Sequence, residues 1–164
     1  MRILEGTDRA ERLRVAIVVS RYHAFVTDRL EQGAIDALRA AGVSDDRIAI
    51  LRVPGAFEIP LAAKRAADTG AFDAVVCLGC LIRGGTPHFE YIASAVAHGL
   101  TDAAAATGVP MSFGVLTTNS AEEALERAGA GPANKGWEAA RAAIDMGTLL
   151  EQLRRKPTPP GVPV

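Results

Sequence analysis

The 164-residue chain is 49% hydrophobic and 23% charged, enough to bury one compact core and too little for two. Its formal net charge of −1 offers no overall attraction to nucleic acid or an anionic membrane, so any phosphate recognition has to be local. No apolar run approaches the ~20 residues that cross a bilayer, and MRILEGTDRAERLR lacks the hydrophobic centre of a secretory signal, which makes the cytoplasm the expected location.

In chain order, residues 1–13 read as an arm. Its short apolar stretch, Ile3 and Leu4, has no local partner and is expected on the sheet edge of a neighbouring subunit. Four short β-branched runs, Arg14 to Ser20, Arg47 to Val53, Ala74 to Leu81 and Met111 to Thr117, predict strands. Helical spacing fills the gaps. Val26, Leu30, Ala34, Leu38 and Ala41 form one apolar stripe, stopped by Gly42 as a left-handed cap. A second helix is predicted to start near Phe57 and pass through Leu61, Ala62 and Arg65 to Gly70. A third carries Ile92, Val96, Leu100 and Ala103, with Thr86 as N-cap and Pro87 at the first helical position. Ser120 and Glu123 suggest a capping box for a short helix ending at Gly129. The last helix, about Asn134 to Arg155, carries Trp137, Ala140, Ile144 and Leu153. The four prolines of KPTPPGVPV then end regular structure, so 156–164 reads as a mobile tail.

Alternation of strand and helix, with strands apolar throughout, predicts a four-stranded parallel sheet in a three-layer α/β/α fold over residues 14–155. Aromatic residues make up only 5% of the chain, so small side chains must fill the core, with helices and sheet in close approach. Cys77 and Cys80 spell CxxC, but three residues of strand hold Cα atoms roughly 10 Å apart and a disulfide needs less than about 7 Å. They read as packed thiols rather than a redox pair.

Open parallel sheets bind ligands at the carboxyl ends of their strands. There the chain offers Ser20-Arg21-Tyr22-His23, Val53-Pro54-Gly55-Ala56-Phe57-Glu58, and Cys80-Leu81-Ile82-Arg83-Gly84-Gly85-Thr86-Pro87-His88. In the third loop two glycines allow close backbone approach and a helix start favours an anion, which suggests a phosphate seat. Gly79 to Thr86 nearly spells a P-loop, but Gly85 stands where that motif needs lysine, and no GxGxxG follows the first strand; an NTPase and an NAD enzyme are both disfavoured. His88 falls in the first turn of the third helix, where the end charge favours an uncharged imidazole able to give and take protons. Three scattered His and two Cys do not have zinc-ligand spacing. Taken singly, each candidate has a structural reading. Glu58 could serve only as a first-turn partner of a helix dipole and Arg127 as a last-turn one; Phe113 could be core, and Lys135 a solvated charge.

Together the stretches VPGAFEIPLAAK at 53–64, GCLIRGGTPHFEYIA at 79–93, PMSFGVLTTNSAEEALERAG at 110–129 and NKGWEAARAAIDM at 134–146 resemble lumazine synthase, in family order and spacing, from about Val15 to Met146. The resemblance implies a flavodoxin-like fold and condensation of 5-amino-6-ribitylaminouracil with 3,4-dihydroxy-2-butanone 4-phosphate to 6,7-dimethyl-8-ribityllumazine, with no cofactor. It implies His88 as the proton donor and acceptor. Tyr22, Ala56, Phe57, Glu58, Cys80, Leu81, Ile82, Phe113 and Lys135 would hold the uracil and ribityl chain, and Gly85, Thr86 and Arg127 the phosphate. It places Phe113 and Arg127 on the adjacent subunit and implies a homo-oligomer, either a pentamer or a 60-subunit shell of twelve pentamers, with riboflavin synthase as a further partner. Two departures stand out. The family usually has Phe or Trp followed by Asn where this chain has Tyr22-His23, and Thr-Lys where it has Ala130-Gly131. The loop before Asn134 is not lengthened, which favours the shell. Two rival readings are a non-catalytic protein binding a ribityl compound and a flavodoxin-like FMN protein.

Overall fold

The computed structural model describes residues 1–154; the expected tail at 156–164 and Arg155 lie outside them. Four strands, β1 Val15–Ser20, β2 Ile48–Val53, β3 Ala74–Ile82 and β4 Met111–Thr118, form one parallel sheet in the order β2-β1-β3-β4. Each lies within a residue of its predicted bounds. Every residue of β1 is buried, as are the first seven of β3, because these inner strands are covered on both faces. The edge strands β2 and β4 mix buried and exposed positions.

The helices are α1 Ala24–Ala40, α2 Ile59–Asp68, α3 His88–Thr107, α4 Ala121–Arg127 and α5 Lys135–Arg154. On one face of the sheet Val15, Ile17 and Val19 pack with Val26, Leu30 and Leu38 of α1, Ala124 of α4 and Ile144 of α5. On the other, Ala16 and Val18 pack with Ile59 and Ala63 of α2 and Val96 and Leu100 of α3. This is the expected three-layer fold. Fully burying aliphatic side chains of the size of Ile17 or Leu30 contributes roughly 1.5–3 kcal/mol each. Small residues set the spacing. A Cβ at Gly136 of α5 would collide with the Leu30 carbonyl of α1, so only glycine lets those two backbones approach so closely.

Capping explains where the helices stop and start, and in two places it differs from expectation. After α1, Gly42 takes φ +88° while Val43 N–H donates to the Leu38 carbonyl at 3.0 Å and Gly42 N–H to the Arg39 carbonyl at 2.9 Å, a Schellman stop. Ser120 Oγ accepts from Glu123 N–H at 3.2 Å, but the Glu123 carboxylate reaches Asn119 N–H rather than closing the box on Ser120, and α4 ends before Gly129. Thr86 does not cap α3. The cap position is Pro87, at ψ 6° and with no side-chain cap bond; that ψ is far from the helical value near −42°, so the helix begins only at His88.

The second helix also differs in register. A 3-10 turn, Ala56–Glu58, precedes α2, and Pro60 in its first turn fixes the start there because its missing N–H is not needed. Ile59, Ala63, Ala66 and Ala67 form the buried stripe, leaving Leu61 67% exposed. In α5 the buried residues run from Gly136 to Thr148, so Leu153 is exposed instead of joining Ala140 and Ile144. The arm has no strand. It runs along α5, with Thr7 N–H donating to Thr148 Oγ1 at 2.9 Å and Gln152 Nε2 donating to the Glu5 carbonyl at 2.7 Å, while Ile3 stays exposed.

Asn134 joins these parts. Buried at 2% exposure, its Oδ1 accepts from Gly136 N–H at 2.7 Å and Trp137 N–H at 3.3 Å, and its Nδ2 donates to the carbonyls of Arg29 at 3.0 Å and Gly129 at 2.7 Å. Asn134→Ala takes the acceptor from the Gly136 and Trp137 N–H groups and the donor from the Gly129 carbonyl, at a cost of roughly 1–3 kcal/mol per buried group left unsatisfied. Urea unfolding is therefore expected to register a loss of at least about 3 kcal/mol, with Asn134→Ser, which keeps an acceptor for the cap, in between. A loss below about 1 kcal/mol for the alanine variant would contradict this account.

Candidate active site

The strand order reverses direction between β1 and β3, and a crevice opens at the carboxyl ends of such neighbours. A cavity of about 790 Å³ lies there, lined from β1's exit by Tyr22 and His23, from β2's by Gly55, Ala56, Phe57 and Glu58, and from β3's by Cys80, Leu81, Ile82, Gly84 and Thr86. His88, Phe89, Tyr91 and Ile92 of α3 close it.

Main-chain bonds hold these loops. Arg21 and Tyr22 N–H donate to the carbonyls of Val53 and Pro54 at 2.8 and 3.1 Å, tying the exit of β1 to that of β2. His23 sits at φ 59°, the sole non-glycine residue with positive φ among the described residues, and its carbonyl accepts from Val26 and Thr27 N–H at 2.9 and 3.0 Å to start α1. Its ring stands edge-on to Tyr22, 4.5 Å between centroids, and burial lowers its pKa. In the second loop Glu58 Oε2 accepts from Gly55 N–H at 2.9 Å. The helix-start role expected of a glutamate here is thus filled by a carboxylate that also lines the cavity.

Tyr22 and Phe57 are 68% and 61% exposed. Two large aromatic rings left in solvent at a cavity mouth offer flat apolar surfaces to a planar ligand. Cys80 is buried, with its thiol pKa pushed up to about 11 by that burial; burial raises the Cys77 thiol still further. Both are free. They pack on opposite faces of the sheet, as residues three apart on a strand must, so no bridge can form between them. Among the described residues no group of three His, Cys, Asp or Glu is placed to hold a metal.

The cavity does not gather every candidate. Gly84 rather than Gly85 lines it. Phe113, Arg127 and Lys135 line a separate cleft of about 350 Å³ across β4, together with Glu138. There Arg127 Nη1 donates to the Glu123 carbonyl at 3.1 Å and Lys135 Nζ pairs with both Glu138 oxygens at 2.7 Å. Phe113, on an edge strand, is half exposed rather than core. Apart from Gly85, which lines neither, the candidates thus fall into two clefts within one chain. Sequence reasoning passed over Tyr91 and took Ile92 only as core, although the period of an α-helix places both one turn beyond His88.

The family model for 6,7-dimethyl-8-ribityllumazine synthase matches residues 12–151. A 6,7-dimethyl-8-ribityllumazine synthase of Desulfatibacillum aliphaticivorans is 47% identical over 153 residues, which cover 93% of this chain and 99% of that protein.

Proposed function

The chain belongs to the 6,7-dimethyl-8-ribityllumazine synthase family, and from that membership we propose how its two clefts share the work. The activity is that of riboflavin biosynthesis: 5-amino-6-ribitylaminouracil condenses with 3,4-dihydroxy-2-butanone 4-phosphate to the lumazine, releasing phosphate and water. The observation that carries the site assignment is the single cavity in which loops from three strands converge on His88. Tyr22 and Phe57 face the planar pyrimidine, Ala56 and Glu58 take the ribityl chain and uracil edge, and Cys80, Leu81 and Ile82 contribute main-chain contacts along β3. Gly85 and Thr86, just ahead of α3, receive the phosphate where main-chain N–H groups at a helix start favour an anion.

The chemistry needs protons moved at several points. The primary amine adds to the ketone and loses water to give an imine; a proton then leaves the neighbouring carbon as phosphate departs from the next one. Attack of the ribityl-bearing nitrogen on the carbonyl so formed, with loss of a second water, closes the ring. His88 stands beside the anion loop, where it can take and return these protons, and holding both substrates in one cavity supplies much of the remaining rate.

The second cleft has no place in this scheme within one chain. A neighbouring copy sets its Phe113, Arg127 and Lys135 against the first copy's cavity, so that Arg127, whose planar fork suits a phosphate, completes the anion site. Such a head-to-tail contact closes into a ring of identical copies. A pentamer fits it, and the short connection from Gly129 to Asn134 favours a shell of twelve pentamers in the cytoplasm, with riboflavin synthase as a partner.

Mixing the protein with both substrates should generate lumazine fluorescence; none would end the catalytic reading. Arg127→Ala is expected to raise KM for the butanone phosphate about 10- to 100-fold, the scale of one lost charge-assisted contact, and to leave KM for the uracil within about twofold. Equal rises for both substrates would remove Arg127 from the phosphate site.

A further inference from the structure

Between β3 and α3 the chain runs through Arg83-Gly84-Gly85-Thr86-Pro87, and packing does little to hold it. A Cβ added at Gly84 or Gly85 would meet nothing within 4 Å, and α3 opens without a side-chain cap. A pre-formed anion site nevertheless requires a fixed loop, because ordering it on binding would weaken the ligand.

One side chain spans the loop. Arg83 N–H donates to the Thr118 carbonyl at 2.8 Å, its Nε donates to Asn119 Oδ1 at 3.3 Å, its Nη1 pairs with the Glu90 carboxylate, and its guanidinium lies 4.5 Å from the Phe89 ring centroid. These partners belong to the end of β4, the turn into α4 and the first turn of α3. Each side-chain contact is weak alone, but a planar guanidinium that satisfies Asn119, Glu90 and Phe89 together has only one orientation.

We propose that Arg83 is a positioning residue: through Asn119, Phe89 and Glu90 it holds the Gly84 to Thr86 loop in the shape that receives the substrate phosphate, without itself being the phosphate's cation. The inference rests on the anion-loop reading above. Arg83 already faces a carboxylate, whereas Arg127 is in no ion pair among the described residues, so the two guanidiniums are suited to different tasks.

Glu90→Gln separates the possibilities by sign. If Arg83 props the loop, Glu90→Gln and Arg83→Ala should both raise the inhibition constant of inorganic phosphate and KM for the butanone phosphate, by about tenfold, the scale of a small misplacement in a binding site. KM for the uracil should stay within about twofold, and Arg83→Lys should fall between. If Arg83 were instead a direct phosphate ligand, removing the competing Glu90 charge would free it and tighten phosphate binding. Tighter binding in Glu90→Gln, or unchanged phosphate constants in Arg83→Ala, would overturn the proposal. A fall in thermal midpoint with unchanged constants would do the same, since the contacts would then be merely structural. The loop reading has its own control in the unaltered enzyme: failure of inorganic phosphate to compete with the butanone phosphate there removes the anion seat itself.

Discussion

His88→Ala is expected to slow lumazine formation by about 10²- to 10⁴-fold at saturating substrates, the range of a positioned acid-base group, while particle size by light scattering stays unchanged. The ring is solvent-exposed within the chain and its side chain makes no hydrogen bond among the described residues, so nothing in the fold depends on it. The KM values should move little, because an imidazole that acts mainly on protons in flight contributes more to the transition state than to the bound ground state. A measurable rate should remain, since an amine and a ketone held face to face condense without help. Unchanged turnover would deny His88 its role. A disrupted assembly would mean that the exposed ring is buried at a contact between copies rather than serving catalysis.

The fold was legible in the sequence because the two inner strands, covered on both faces, appear as unbroken apolar runs, and because the stripe from Val26 to Leu38 contains no proline and keeps its helical period across Gly33. Legibility failed where one residue shifts a register. Pro60 fixes the start of α2 so that Ile59 points inward, and Leu61, which looks like core by composition, turns to solvent. Pro87 similarly leaves Thr86 short of the cap it resembles. The candidate site was legible as three loops because parallel sheets put their ligands there, yet Phe113 read by itself as core, since neither composition nor period says that β4 is an edge strand. Asn134 was visible as a helix start, but not as the link to Arg29, 105 residues earlier in the chain; no local pattern reports so distant a contact.

The largest effect expected of the shared site comes from mixing two impaired proteins. In a ring where each cavity takes its His88 from one copy and its Arg127 from the next, a His88→Ala chain spoils the cavity it carries but still supplies a good Arg127 to its neighbour, and an Arg127→Ala chain does the reverse. Co-assembled at equal amounts after joint refolding, about one contact in four should pair an intact cavity with an intact cleft by random placement in a closed head-to-tail ring. Activity at limiting butanone phosphate should therefore recover to about a quarter of the unaltered level, far above the sum of the two separate variants. The same chains assembled apart and mixed afterwards should show no recovery until copies exchange. If Phe113, Arg127 and Lys135 instead served a cleft unrelated to the reaction, Arg127→Ala alone would keep its activity and mixing would only average the two. If both halves came from one chain, co-assembly would rescue nothing, because every chain would carry one damaged half of its own site.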